Sequence, residues 1–303
     1  MIERERRRRW SAEEKGATAT LMSKRPTRAK TRREIAAAAL ILTSVLAGQS
    51  HAASSEWISA EGGAIRLVAL QPKPDGSIPA ILEVKLEPGW KTYWREPGAS
   101  GIPPQITLDP AGDVELEAIR FPAPKSFGTG AERYAGYDAT VAFPLELKRL
   151  GDRRDVRIRA SVFLGVCEDI CIPVQGNLEL TVKSGEFDNP LDGARIEEAF
   201  TTLPEPPSKG FRVDKALFDA SAGVIRFDLH LPDEAESGEL DLFLAGPSGS
   251  FFGQPTVAGT PGSKHRVEVP VKRFGSDRDT AGKPIVLTVR AGERSMETTL
   301  ALD

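Results

Sequence analysis

Cys167 and Cys171 are the only cysteines in the 303-residue chain, and they stand four apart in S-V-F-L-G-V-C-E-D-I-C-I-P-V-Q-G-N-L-E-L. Two thiols at this spacing can close a disulfide, exchange it with another protein, or hold a soft metal ion. Which of these applies depends on the elements that carry them. The residues on either side alternate apolar and polar, so the segment reads as strand, turn, strand, with Glu168, Asp169 and Ile170 in the turn. Such a hairpin sets Cys167 opposite Cys171, with Cα atoms about 4.5 to 5.5 Å apart and within reach of a disulfide. On one continuous strand the same residues would lie about 13 Å apart. The hairpin is therefore a structural requirement of any bond between them.

Side-chain parity gives a second expectation. Val156, Ile158, Ala160, Val162, Leu164 and Val166 share one face of the first strand, and Ile172, Val174, Leu178, Leu180 and Val182 share one face of the second. Both cysteines fall on the opposite faces, so the sulfurs point away from an apolar core unless a bulge at Gly165 shifts the register. A five-residue loop also makes a poor staple: its closure restrains the unfolded chain by about 2 kcal/mol, against about 4.7 for a loop near one hundred residues. An accessible disulfide that contributes little to stability is suited to exchange. Glu168 and Asp169 are expected to raise the thiol pKa values, which argues against a strongly oxidising centre.

The rest of the chain supplies the scaffold. Period-2 runs at Ile78–Leu86, Val141–Leu147 and Val156–Leu164, then at Val224–Leu231, Leu240–Leu244, Val267–Val271 and Ile285–Val289, predict strands separated by Gly, Pro and Asp clusters. A short helical pattern covers Leu191–Phe200, followed by the breaker run L-P-E-P-P-S-K-G. The expected fold is all-β: two β-sandwich domains, residues 53–184 and 211–303, joined by a Pro-rich linker, residues 185–210, that contains the short helix. All three Tyr, both Cys, and Trp57, Trp90 and Trp94 precede the linker, so chemistry is expected in the first domain.

Residues 1–52 read as an export signal, with a basic stretch, an apolar run from Ile35 to Gly48, and small residues suited to cleavage after Ala52. Met22 offers an alternative start. The expected destination is the periplasm. Of 40 Lys/Arg and 43 Asp/Glu, the first 52 residues hold 12 and 5, so the remainder carries a net charge of −10. That balance disfavours a nucleic-acid partner, and no later run has the length of a transmembrane helix.

Three blocks give the chain a family resemblance: G-W-K-T-Y-W-R-E-P-G (Gly89–Gly98), R-Y-A-G-Y with downstream F-P-L-E-L (Arg133–Leu147), and G-V-C-E-D-I-C-I-P (Gly165–Pro173). Together, over roughly residues 57–184, they resemble the immunoglobulin-like N-terminal periplasmic domain of the thiol reductase DsbD and its ScsB-type relatives. The resemblance implies that Cys171 forms the mixed disulfide and Cys167 resolves it. It implies Tyr134 as a cap over the pair, Tyr137 as the cap's support, and Tyr93 and Trp94 as site lining. It further implies thioredoxin-like periplasmic partners and a separate membrane electron donor, because the chain shows neither a membrane-embedded carrier nor a C-x-x-C module; no cofactor is expected. The three-residue spacing between the cysteines and the single proline after the second depart from the family's pattern.

Two other readings stay open at this stage. The disulfide could be structural in a binding or assembly module whose second sandwich makes the contacts. Alternatively, the thiols could handle Cu(I), as the link of ScsB-type proteins with copper tolerance suggests, although Met296, His230 and His265 form no ligand-like cluster around them. No elbow, zinc-helix or phosphate-loop motif supports hydrolytic or nucleotide chemistry.

Overall fold

A computed structural model describes residues 53–98, 101–232, 239–247, 249–259, 264–273 and 284–302. The expected signal segment, its cleavage point at Ala52 and the alternative start at Met22 lie outside the described residues. In chain order the first half contains β1 (Ile58–Ala60), β2 (Gly63–Ala69), β3 (Ser77–Leu86), β4 (Lys91–Tyr93), β5 (Gln105–Leu108), β6 (Val114–Ile119), β7 (Lys125–Phe127), β8 (Tyr134–Tyr137), β9 (Val141–Arg149), β10 (Val156–Cys167) and β11 (Cys171–Val182). One sheet runs β1-β2-β3-β9-β6 and the other β11-β10-β4-β8-β7, with β5 also paired to β10; every pairing is antiparallel.

These two sheets pack face to face because their alternating residues present one apolar side each. Ile65, Leu67, Leu82, Phe143 and Leu145 from the first meet Ile158, Val162, Leu164, Leu178 and Tyr137 from the second in a single buried cluster. Val68 and Ile81 break the alternation, since they are apolar on the far side of the first sheet. The helix explains them. Helix α1 (Pro190–Thr201) lays Ile196 and Ala199 onto both residues. It begins where the sequence dictates, with the Asn189 side chain accepting from the Leu191 N–H and Pro190 in the first turn.

The second half contains β12 (Arg212–Asp219), β13 (Val224–His230), β14 (Leu240–Ala245), β15 (Phe251–Phe252), β16 (Thr256–Gly259), β17 (Lys264–Arg273), β18 (Ile285–Ala291) and β19 (Arg294–Leu300). They form a β12-β13-β17-β15 sheet, with β16 also on β17, and a three-stranded β14-β18-β19 sheet. Phe211, Phe227, Leu229, Val269, Leu287 and Met296 form the core between them. The chain segment after α1 is stitched to this half through Glu205, which bridges to Met296 and receives two hydrogen bonds of 2.9 Å from the Arg294 guanidinium.

Candidate functional site

β10 and β11 pair without a break from Val156↔Val182 to Cys167↔Cys171. No bulge interrupts the ladder at Gly165, so the parity expected of the apolar stripe holds to the end of the hairpin. The turn is Glu168, Asp169 and Ile170, and it brings the two Cα atoms to 4.1 Å, slightly closer than a regular antiparallel pair. The disulfide is formed. Its two cysteines are not equivalent in their surroundings. Cys171 is exposed, whereas Cys167 is only 7% exposed. Cys167 sits outside the apolar cluster, so it is covered on the outer side of the sheet.

Strand register sets which side chains share the outer face with the pair. β4 lies beside β10 with Lys91 opposite Cys167, and Tyr93, two residues on, shares the face of Lys91. β8 places Gly136 opposite Tyr93, so Tyr134 comes to that face as well, and β7 adds Phe127 opposite Tyr134. The rings interlock: Tyr134 meets the edge of Tyr93 at 5.5 Å between centroids and stacks on Phe127 at 5.3 Å. The Lys91 ammonium lies 5.9 Å from the centre of the Phe127 ring. Tyr93 Oη stands 3.3 Å from Cys171 Sγ. A disulfide sulfur has no proton, so the hydroxyl is the donor. Burial raises the Tyr93 phenol above its ordinary pKa, and burial followed by the neighbouring Tyr93 raises that of Tyr134. Both hydroxyls keep their protons at neutral pH.

The other two residues named from the sequence stand on the opposite face. Trp94 is fully buried in the first core, its ring 5.8 Å from that of Phe243 in β14. Tyr137 is buried in the same core, edge-on to Phe143 at 5.5 Å, and its hydroxyl donates to the Pro122 carbonyl at 2.8 Å. Burial pushes its pKa well above the ordinary phenol value. The physical reason is parity: Trp94 is one residue from Tyr93, and Tyr137 three from Tyr134, so neither can share its neighbour's face in an extended strand. Phe127, Lys91 and Ile170, 65% exposed at the hairpin tip, belong to the neighbourhood and were not singled out from sequence.

The backbone around Tyr134 is gripped from one side by the loop after Trp94. The Ala135 N–H donates to the Pro97 carbonyl at 3.2 Å, and Gly98, at φ +99°, approaches so closely that a Cβ there would lie 3.0 Å from the Arg133 carbonyl oxygen. Among the described residues, no group of three or more His, Cys, Asp or Glu side chains is gathered as a metal site.

Fold and site together define an immunoglobulin-like domain that carries a disulfide at the tip of a hairpin, with the Tyr93 hydroxyl beside one of its sulfurs. Residues 64–183 match the family model described as thiol:disulfide interchange protein DsbD, N-terminal. The crystal structure of the N-terminal periplasmic domain of ScsB from Proteus mirabilis is similar over 83% of this chain and 99% of that chain, with a TM-score of 0.64 and 24% sequence identity. The structural likeness is too extensive to end at residue 183, so it includes strands of the second half. No curated protein matches the sequence.

Proposed function

We propose that the chain is a periplasmic thiol-disulfide interchange protein that passes electron pairs from a thioredoxin-like donor, itself supplied by a separate membrane protein, to disulfide-bearing partners. The observation that carries this reading is the asymmetry of the pair: Cys171 is exposed with a tyrosine hydroxyl beside its sulfur, while Cys167 is covered. A donor thiolate attacks Cys171 Sγ, the bond between the two cysteines breaks, and Cys167 leaves as a thiolate that takes up a proton. The donor's second thiol then attacks its own sulfur in the mixed disulfide. This releases Cys171 as a thiolate and completes the transfer of two electrons. In the next half-cycle the Cys171 thiolate attacks a partner disulfide, and Cys167 resolves the adduct by closing the hairpin bond again.

In this reading residues 53–184 are the redox domain, residues 185–210 the linker and residues 211–303 a second domain, with residues 1–52 removed on export after Ala52. The basic and apolar pattern of residues 1–52 supports the location, as does the likeness to a periplasmic domain. Tyr134 and Tyr93 form the cap, and Trp94 and Tyr137 hold its strands from the core side. Among the described residues no helix is long and apolar enough to cross a membrane.

The test is a trap. With Cys167→Ser in the chain from residue 53 onward, Cys171 is left free and cannot be displaced by its neighbour. Incubation with a thioredoxin-like protein whose C-x-x-C motif keeps only its first cysteine, activated as the mixed disulfide with thionitrobenzoate, is expected to give a protein–protein mixed disulfide that dithiothreitol releases. Recovery of unmodified monomer alone would count against interchange and favour a structural disulfide.

A further inference from the structure

The three-stranded β14-β18-β19 sheet has two faces with different chemistry. Leu242, Leu244, Leu287, Val289 and Met296 belong to the second core. The opposite face carries a cross-strand row of Phe243, Thr288 and Glu297, and two residues along it Asp241 lies opposite Arg290. Phe243, Thr288 and Asp241 are all buried, so this face is covered. What covers it is the first half. Phe243 packs on Trp94; Glu297 pairs with Arg95 and also accepts from the Thr288 hydroxyl at 2.9 Å; Asp241 accepts from Arg133 at 3.2 Å.

The two arginines have a common position. Arg133 directly precedes Tyr134, and Arg95 follows Tyr93 by two residues. Each cap tyrosine is thus tied, through the nearest arginine in the chain, to an acid of the second half. The side chains of the pairs are 25% and 10% exposed for Arg133 and Asp241, and 22% and 15% for Arg95 and Glu297. Shielded pairs of this kind add little net stability over apolar contact, and their best-attested use is to fix one register among several. A cleft of about 550 Å³ lies between the cap strand and the second half, with Tyr134, Pro97, Phe243 and Phe252 among its walls, so continuous apolar packing does not fix the cap there.

We propose that the β14-β18-β19 sheet is a positioning clamp for the redox site: Asp241 and Glu297 hold Arg133 and Arg95, and through them Tyr134 and Tyr93, over the Cys167–Cys171 disulfide. Asp241 and Glu297 are positioning residues that touch neither sulfur. The inference rests on the reading of the pair as an exchanging disulfide, but its test uses a small thiol and no partner protein.

The experiment compares oxidised chains from residue 53 onward carrying Asp241→Asn, Glu297→Gln or both, with Glu268→Gln as control. Glu268 pairs with Arg226 at 2.8 Å elsewhere in the second half. Two quantities are read well below the melting temperature: the second-order rate of disulfide reduction by dithiothreitol, and acetylation of each tyrosine by N-acetylimidazole, mapped by mass spectrometry. Each single variant is expected to be reduced about fivefold faster, the factor that corresponds to about 1 kcal/mol of lost restraint. Acetylation should rise at Tyr134 and Tyr93, while core Tyr137 in Asp241→Asn and all three tyrosines in the Glu268→Gln control stay at the wild-type level. Rates within twofold of wild type in both the double variant and Asp241→Ala overturn the clamp, as does a rise at Tyr137 in Asp241→Asn, which would mean general loosening. Asp241→Ala removes the acceptor altogether and must give the acceleration as well. Failure of the partner trap combined with faster dithiothreitol reduction here would leave the clamp standing and remove only the interchange reading.

Discussion

Replacing Tyr93 by Phe in a Cys167→Ser chain isolates one contact, the hydroxyl that stands 3.3 Å from Cys171 Sγ. When Cys171 ionises, that hydroxyl donates to a charged sulfur, and hydrogen bonds to charged groups contribute about 1.5 to 3 kcal/mol. Cys171 is exposed, so water competes and the lower end applies. At 1.36 kcal/mol per unit, the thiol pKa of Cys171 should rise by about one unit in Tyr93→Phe. Thiolate is then about tenfold scarcer well below the pKa, but each thiolate is about threefold more nucleophilic, because reactivity rises with basicity with a coefficient near 0.4 to 0.5. The net expectation is a threefold to fourfold slower reaction with an aromatic disulfide reagent at low pH, a plateau about threefold faster at high pH, and profiles that cross between. The ring of Tyr93 and its edge contact with Tyr134 remain, so the change reports the hydroxyl. Tyr93 itself stays protonated across the titration, because burial raises its pKa. Stopped-flow absorbance from pH 5 to 10 measures the profile. Superimposable curves for Tyr93→Phe and its parent, or a midpoint that moves down, refute the assignment of the hydroxyl as a donor to the sulfur.

Two further outcomes follow from the geometry. Gly165→Ala should lower stability by about 1 to 3 kcal/mol by urea denaturation, since a Cβ there would lie 2.8 Å from Cβ of Ile102, and both are held by the Gly165 N–H to Ile102 carbonyl bond of 3.2 Å. Tyr137→Phe should cost about 1 kcal/mol at neutral pH through the lost bond to the Pro122 carbonyl. It should also flatten the alkaline limb of the stability profile. The Tyr137 phenol is raised in the folded state, so its contribution is complete below the unfolded value near 10 and is lost as the pH rises above it. Urea midpoints from pH 8 to 11.5 should therefore fall more steeply for wild type than for the variant; parallel curves would contradict the burial argument.

The hairpin was legible because its two strands are long, alternate cleanly, and leave three residues for the turn, which fixes Cys167 against Cys171. β3, β9, β13, β14, β17 and β18 were legible on the same ground, and the helix at Leu191–Phe200 extends by one residue at each end, to Pro190 and Thr201, in the structure. Parity also held the means to sort the aromatic residues. Tyr93 and Trp94 are adjacent, and Tyr134 and Tyr137 are three apart, so only one of each pair can face the disulfide. Other features carried no local signal. Phe127 sits in a three-residue strand, too short to display a period, and it reaches Tyr134 only through the β7–β8 pairing. The pairs Arg95–Glu297 and Arg133–Asp241 span 202 and 108 residues, and nothing in a single sequence couples positions so far apart.

On the proposed mechanism Cys171, and not Cys167, is the sulfur an incoming thiol attacks. Oxidised wild-type chain mixed with excess glutathione, quenched with acid within the first turnover and mapped by mass spectrometry, tests it directly. Glutathione is expected on Cys171, with Cys167 recovered as the free thiol. Glutathione on Cys167, or divided evenly between the two, would contradict it.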